Sequence, residues 1–256
     1  MSNPSDVFEA LKSLGFCASA DAVRALLGQL TKSRSSPAEV CEKLVALEQR
    51  ERTARNLKSR MQKATLGSFK TLERFDWAHP TSIDKGLYEE LHTLTFLERG
   101  ENVLLRGSSG LGKTTLAQNL GLTALTKGHT VRLSTLASAL ADLLKQESLP
   151  ALERRLKRYT QPDLLILDEL GYLPCDSRSA DLLYNIISRR HEKASTVITT
   201  NLAFKQWTSV FPGAACVVAL VDRFSQHCHV LDIEGGSWRQ KEAASPRQVI
   251  PKKKKH

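Results

Sequence analysis

Hydrophobic and polar positions change their spacing along the chain, and the changes separate predicted helices from predicted strands. Between residues 38 and 64, apolar side chains recur at intervals of three, four or seven positions with no proline or glycine among them, so a long helix with one apolar face is predicted. Two shorter helical patterns precede it, one ending at Gly15 and one beginning at Asp21. Residues 1–66 are therefore predicted to form a small all-α N-terminal domain.

Short apolar runs alternate with helical patterns in the rest of the chain. The run from Leu164 to Leu167 contains no polar residue, which is typical of a strand buried on both faces of a parallel sheet. The pattern predicts an α/β domain over residues 67–239, with a parallel sheet flanked by helices. Strands are predicted near 102–106, 131–134, 164–169, 195–201 and 229–233, and helices over 81–98, 136–145, 149–159, 180–191 and 214–226.

A glycine-rich turn joins the first of these strands to an apolar helix pattern. It matches G-x-x-x-x-G-K-[ST] at every specified position. In that arrangement the glycines let successive backbone N–H groups point at one phosphate, and the helix N-terminus adds the positive end of its dipole. Lys113 is predicted to reach the β- and γ-phosphates, and the Thr114 hydroxyl to hold Mg²⁺. The predicted nucleotide-binding residues are Gly107, Ser108, Ser109, Gly110, Leu111, Gly112, Lys113, Thr114 and Thr115.

Two carboxylates end the strand predicted at 164–169, at the edge where ligands bind in open α/β sheets. Asp168 is predicted to orient Mg²⁺, usually through a water, and Glu169 to polarise the water that attacks the γ-phosphate. Asn201 ends the next strand, and it is predicted to sense the γ-phosphate if that strand lies beside the one that leads into the glycine-rich turn. The cofactors indicated are ATP and Mg²⁺.

Residues 67–80 form the predicted connector into the α/β domain. Its apolar side chains are interpreted as anchors docked on the core, while the alternative that one aromatic ring flanks an adenine stays open. These residues are Phe69, Leu72, Phe75 and Trp77.

The net charge of +10 is concentrated at the two ends of the chain. Lys and Arg exceed Asp and Glu by four in residues 1–66, by one in 67–239 and by five in 240–256. A nearly neutral core with basic ends indicates contact with an anionic polymer, and the last stretch is predicted to be a disordered basic tail. No window approaches eighteen uninterrupted apolar residues and no leader pattern is evident, so we expect a cytoplasmic protein without a membrane span.

Four tracts together resemble the IstB-like AAA+ ATPases, the transposition helper proteins of bacterial insertion sequences, whose relatives include the DnaC-type helicase loaders. The tracts are GSSGLGKTTLA at 107–117, LDELGYLP at 167–174, FKTLERFD at 69–76 and DRF at 222–224. The first is shared by many NTPases, whereas the second and third are far more specific. The likeness extends from about Glu48 to Arg239 and implies an AAA+ P-loop fold.

The resemblance also implies roles for two arginines. Arg223 lies where the family has its arginine finger, which completes the ATP site of a neighbouring subunit. Arg239 matches the position of a second sensor arginine, although Trp238 replaces the usual Tyr before it. Arg189 and Arg190 are alternative finger candidates, otherwise explained as surface or interface charges. A finger supplied in trans makes hydrolysis depend on assembly of a homo-oligomer.

These features predict an Mg²⁺-dependent ATPase that assembles on double-stranded DNA and recruits or stimulates its cognate transposase. Three alternatives remain: a replicative helicase loader acting on single strands, a small-molecule P-loop kinase, and a DNA-binding adaptor with a relic ATP site. The Asp168–Glu169 pair suits activation of water, which argues against a kinase, and the complete set of catalytic side chains argues against a relic.

Overall fold

The computed structural model describes residues 4–171, 176–238 and 241. Backbone contacts divide the chain into two compact units, Met1–Gln62 and Lys63–His256. No helix in the described part of the chain is long and apolar enough to cross a membrane.

The first unit is helical, as its apolar spacing predicts. It contains α1 (Pro4–Ser13), α2 (Ala20–Lys32) and most of α3 (Pro37–Ala64). The carboxylate of Glu48 on α3 accepts hydrogen bonds from the backbone N–H groups of Cys17 (2.7 Å) and Ala18 (3.0 Å), just before α2 begins. Because buried backbone N–H groups need an acceptor, this carboxylate fixes the segment that leads into α2 against α3.

The second unit is built on a six-stranded sheet with the order β1-β6-β2-β5-β4-β3. Every neighbouring pair is parallel except β1 and β6, which are antiparallel. The strands are β1 (Ser82–Ile83), β2 (Asn102–Gly107), β3 (Val131–Thr135), β4 (Leu164–Leu170), β5 (Ser195–Thr200) and β6 (Cys228–Glu234). The helices are α4 (Lys85–Leu91), α5 (Thr95–Glu98), α6 (Lys113–Thr126), α7 (Leu136–Leu144), α8 (Leu149–Thr160), α9 (Ser177–Arg190), α10 (Trp207–Val210) and α11 (Val217–Ser225).

Helices cover both faces of this sheet, so the apolar run of β4 is fully buried. Ile166 faces α6, where it lies against Gly121. Leu165 and Leu167 belong to the opposite core, with side chains of α7, α8, α9 and α11. The prediction of an α/β domain with a helix-covered parallel sheet is therefore confirmed.

The prediction of one helix over residues 81–98 is wrong. Ser82 and Ile83 instead pair with the end of β6, and Thr81 N donates to Glu234 O at 2.8 Å. The helix α4 then starts after Asp84, whose side chain accepts from Leu87 N at 2.9 Å. A left-handed residue, Leu94 (φ 67°), separates α4 from α5. Pairing with a distant strand and burial of Leu94 outweigh the helix preference of the local sequence. Both depend on residues outside the segment, so its apolar spacing does not predict them.

Arg190 has a structural position that excludes it as a finger for a neighbouring subunit. Its side chain is 1% exposed at the end of α9. The guanidinium donates to Thr196 Oγ1 and to backbone carbonyl oxygens that include Pro162 O (2.7 Å) and Ser195 O. It also bonds the last carbonyls of α8, those of Tyr159 and Thr160. Burial lowers the pKa of Arg190 to about 9, which leaves it protonated at neutral pH.

We expect Arg190→Leu to lower the free energy of unfolding by about 3 kcal/mol or more, because several buried carbonyl groups lose their donor. Arg189→Leu is the matched control. Arg189 is partly exposed and pairs with Glu153 (2.6 Å), so its loss should cost less than about 1 kcal/mol. Urea unfolding followed by tryptophan fluorescence measures both. Equal losses would show that Arg190 does not hold α8, α9 and β5 together.

Candidate functional site

The turn between β2 and α6 has the backbone shape that its glycines predict. Gly110 and Gly112 adopt φ of 83° and 84°, in the left-handed region that favours glycine. The space around them is also closed, because a Cβ at Gly112 would lie 2.6 Å from Phe75 Cε2, and one at Gly110 would overlap Ser237 Oγ. These two positions therefore exclude other side chains on both conformational and steric grounds.

Lys113 begins α6 and folds back over the turn. Its ammonium group donates to Gly107 O at 2.6 Å and to Ser108 O at 2.7 Å. The side chain is 7% exposed, so its charge is held close to the turn and to the N-terminus of α6. A positive charge, a helix N-terminus and a curled backbone together form a binding site for phosphate groups.

A hydroxyl and a carboxylate meet beside this turn. Thr114 Oγ1 lies 3.0 Å from both Oδ1 and Oδ2 of Asp168, which is 5% exposed near the end of β4. The strand β2 leads into the turn before Thr114, and β4 contains Asp168. Both pair in parallel with β5, so their carboxyl ends lie at one edge of the sheet. Hydroxyl and carboxylate oxygens are suitable ligands for Mg²⁺, and this pair fits such an ion.

The ladder between β4 and β5 is interrupted at the two carboxylates. Leu167 pairs with Ile198 and Leu170 with Thr200, so Asp168 and Glu169 together face the single residue Thr199. Glu169 adopts a left-handed conformation, with φ of 65°. A β-bulge of this kind redirects side chains at the point where it occurs.

Thr199 is a site residue that the sequence did not reveal. Its hydroxyl accepts a hydrogen bond from Glu169 N at 2.9 Å and donates one to Asp168 Oδ1. The residue stands in a fully buried strand whose polar and apolar residues do not alternate, two positions before Asn201. Only the register of β5 against β4 identifies it, and that register is a long-range property of the sheet.

A cavity of about 360 Å³ adjoins the turn and the carboxylates. Glu169 and Thr199 line the cavity at the edge of the sheet, and the glycine-rich turn and the first residues of α6 line another side of it. The remaining wall contains four rings, together with the charged residues Lys70, Arg74 and Asp76; the rings are those of Phe69, Phe75, His79 and Trp238. Phe69 and Phe75 are half-buried in the wall of this cavity, whereas Trp77 packs between Phe75 and Tyr88.

The other predicted residues have different positions. Asn201 directly follows β5 and so lies at the same sheet edge, but among the described residues it does not line the cavity. Arg223 lies on α11, with its guanidinium carbon 5.0 Å from the ring centroid of Tyr184 on α9. Arg239 lies outside the described residues. Its neighbour Trp238 contacts the turn, since Trp238 N donates to Gly110 O at 3.0 Å.

Known proteins resemble this chain over most of its length. The family described as IstB-like ATP binding protein matches residues 9–245 of the chain. The chain is 39% identical over 220 residues to the predicted ATP-binding protein of insertion sequence IS21 from Pseudomonas aeruginosa, covering 86% of this chain and 83% of that protein. It is 32% identical over 207 residues to the corresponding protein of IS5376 from Geobacillus stearothermophilus, covering 81% and 82%.

Solved structures share the fold. The DnaC helicase loader matches 64% of this chain and 96% of its own, with a TM-score of 0.52 and 19% identity. The replication initiator DnaA, bound to AMPPCP and single-stranded DNA, matches 67% of this chain and 52% of its own, with a TM-score of 0.56 and 20% identity. These likenesses confirm the predicted AAA+ P-loop fold class. The extent of the family match and the identity to its members show that this chain belongs to the IstB-like ATP-binding proteins of insertion sequences.

Proposed function

We propose that this protein is an Mg²⁺-dependent ATPase that assembles on duplex DNA and recruits or stimulates the transposase of its insertion sequence. Hydrolysis then controls how long the assembly persists. The observation that carries the proposal is that Lys113, Thr114 and Glu169 line one cavity and that Asp168 is hydrogen-bonded to Thr114 at its edge. Relatives named as ATP-binding proteins of insertion sequences support the transposition context.

We assign different residues around the cavity to different parts of the nucleotide. Lys113 and the N–H groups of the turn bind the phosphates, and Thr114 and Asp168 hold Mg²⁺, which neutralises charge on the β- and γ-phosphates when bound. The aromatic wall offers an apolar surface for the base. We assign Phe75 and Trp238 to this wall because the Phe75 ring lies against Gly112 and the backbone N–H of Trp238 donates to Gly110 O.

Glu169 is the residue we assign to the attacking water. Its side chain is exposed and lines the cavity, next to Asp168 but not bonded to Thr114. A carboxylate in that position can accept the proton of a water that attacks the γ-phosphate. Asn201, one residue past β5, is assigned as the polar group that orients the same water. The pairing of β5 between β2 and β4 supports this assignment.

Arg223 is the finger that we assign to the neighbouring subunit's site. Stacking on Tyr184 holds its guanidinium half-buried, and no hydrogen bond within the described part of the chain engages its N–H groups, which can therefore bond an anion. Transition-state charge on the γ-phosphate is then compensated only between subunits, so an isolated chain should turn over slowly. We also assign Arg239 to the γ-phosphate, as the family pattern implies.

Contact with DNA is supported by three arginines, Arg132 of β3 and Arg155 and Arg158 of α8, whose charges influence one another. Burial lowers the pKa of Arg132, and the charge of Arg158 lowers it further. Arg155 is nearby, and Asp142 neutralises it through a bidentate pair. The cluster therefore keeps excess positive charge that a phosphate backbone can neutralise. We place further DNA or transposase contacts in residues 1–66 and in the basic stretch 240–256, of which the structure describes residue 241 alone.

We expect ATP turnover to rise about tenfold or more when duplex DNA is added at low salt, because assembly supplies Arg223 to each site. Phosphate release measured with and without duplex DNA tests this. Turnover indifferent to duplex DNA would contradict the proposal. Stimulation by single strands alone would favour a helicase loader, and phosphoryl transfer to a small molecule would favour a kinase.

Glu169→Gln should still bind ATP but lower turnover by about 100-fold or more, because the amide cannot accept the proton. Complexes on DNA should persist correspondingly longer, which is measured as the dissociation rate from labelled duplex in the presence of ATP. Wild-type turnover in this variant would mean that another residue positions the water.

Lys113→Ala should weaken ATP binding by about 100-fold, because the phosphates lose their principal charged partner. Lys145→Ala removes an exposed lysine from the same unit and is the matched control. Titration with a fluorescent ATP analogue measures both variants. Unchanged ATP affinity or ATP-dependent assembly in Lys113→Ala would defeat the role assigned to Lys113.

A further inference from the structure

We propose that Thr199 is a positioning residue that sets the geometry of both Asp168 and Glu169. The inference deepens the proposed ATPase function and rests on it. Thr199 itself is assigned no contact with the reacting atoms. Thr199 acts through Asp168 and Glu169, which together face it where the ladder between β4 and β5 is interrupted.

One hydroxyl serves both neighbours at once. Thr199 Oγ1 accepts from Glu169 N (2.9 Å) and donates to Asp168 Oδ1. The residue is 1% exposed, so water cannot readily replace either bond. A threonine hydroxyl has one donor and accepting lone pairs, which suits this double use, whereas the equally shaped side chain of valine offers neither.

The bond to Glu169 holds a backbone conformation that is costly for glutamate. A residue other than glycine in the left-handed region pays roughly 1 kcal/mol or more, and the surrounding contacts must offset that cost. Here the N–H of the strained residue has Thr199 Oγ1 as its acceptor. Without that acceptor the bulge can relax, and a shift of one position in a strand turns a side chain to the opposite face.

The bond to Asp168 orients the second carboxylate. The Asp168 carboxylate accepts hydrogen bonds from the hydroxyl groups of Thr114 and Thr199, so the directions of its two oxygens are fixed. An outer group that orients a metal-binding carboxylate typically changes affinity or activity by about 10- to 100-fold when it is removed. Thr199 therefore couples the position of the ion-binding carboxylate to that of the water-activating one.

Thr200 provides a matched control in the same strand. Its hydroxyl is equally buried, donates to Leu170 O at 2.8 Å and accepts from Leu202 N at 3.0 Å. It thus stabilises the turn after the bulge without bonding Asp168 or Glu169. Thr200→Val removes a buried hydroxyl of the same kind and should cost a similar amount of stability.

The first measurement needs no nucleotide. Backbone amide exchange at Glu169 should become at least about tenfold faster in Thr199→Val, because its N–H loses its acceptor. Thr199→Ser, which keeps the hydroxyl, should restore protection, and Thr200→Val should leave Glu169 protected. Unchanged exchange at Glu169 in Thr199→Val would overturn the inference whether or not the protein hydrolyses ATP.

The second measurement is steady-state ATP turnover together with ATP affinity in the absence of Mg²⁺. Thr199→Val should lower kcat by about 10- to 100-fold while Mg²⁺-free affinity changes less than about threefold, and Thr199→Ser should rescue kcat. Normal kcat in Thr199→Val would sink the inference and leave the ATPase proposal standing. Absence of turnover in the wild type would sink the ATPase proposal instead. If Thr199→Val does not fold, Thr199→Ala removes the same oxygen without placing a methyl group against the Asp168 carboxylate, and it carries the same expectations.

Discussion

Parallel pairing of β5 with β2 on one side and β4 on the other is the interaction on which the site depends. It brings the turn that contains Lys113 and the end of β4 that contains Asp168 to one edge of the sheet. Residues more than fifty positions apart then share a hydrogen bond, between Thr114 and Asp168. Helices on both faces make this sheet the buried core of its unit, so the edge is held rigidly and the side chains at it have defined directions.

The interruption in that pairing gives the site its second property. If β4 continued in regular register, Asp168 and Glu169 would point to opposite faces of the sheet. The bulge opposite Thr199 changes this, so Asp168 meets Thr114 while Glu169 lines the cavity. The left-handed backbone of Glu169 is the local cost of that arrangement, as is common where strain is stored at functional sites.

Local sequence patterns predicted the elements that depend on interactions within a few residues. The five parallel strands, the glycine-rich turn and the carboxylates at the end of β4 follow from apolar runs, glycine spacing and charge, each of which acts within a few residues. Long-range pairing determines the rest. The segment 81–98 is divided by its partner β6, and Thr199 is identified only by register. Arg190 is explained by its local pattern as a surface or interface charge, yet carbonyl groups from two separate segments enclose it. The aromatic cavity wall likewise combines the connector with Trp238, far apart in the chain.

The same geometry leaves one part of the proposed chemistry to a neighbour. Arg223 stacks on Tyr184 and does not line the cavity of its own chain within the described residues. Mixing two variants tests the consequence directly. Arg223→Ala keeps its own site but lacks the finger, and Glu169→Gln keeps the finger but cannot activate water. We predict that each variant alone is inactive and that an equal mixture on duplex DNA recovers roughly a quarter of wild-type ATP turnover. In such a mixture, one site in four combines an intact Glu169 with an intact Arg223 from the neighbouring subunit. Turnover in the mixture equal to the average of the two separate variants would contradict a site completed between subunits.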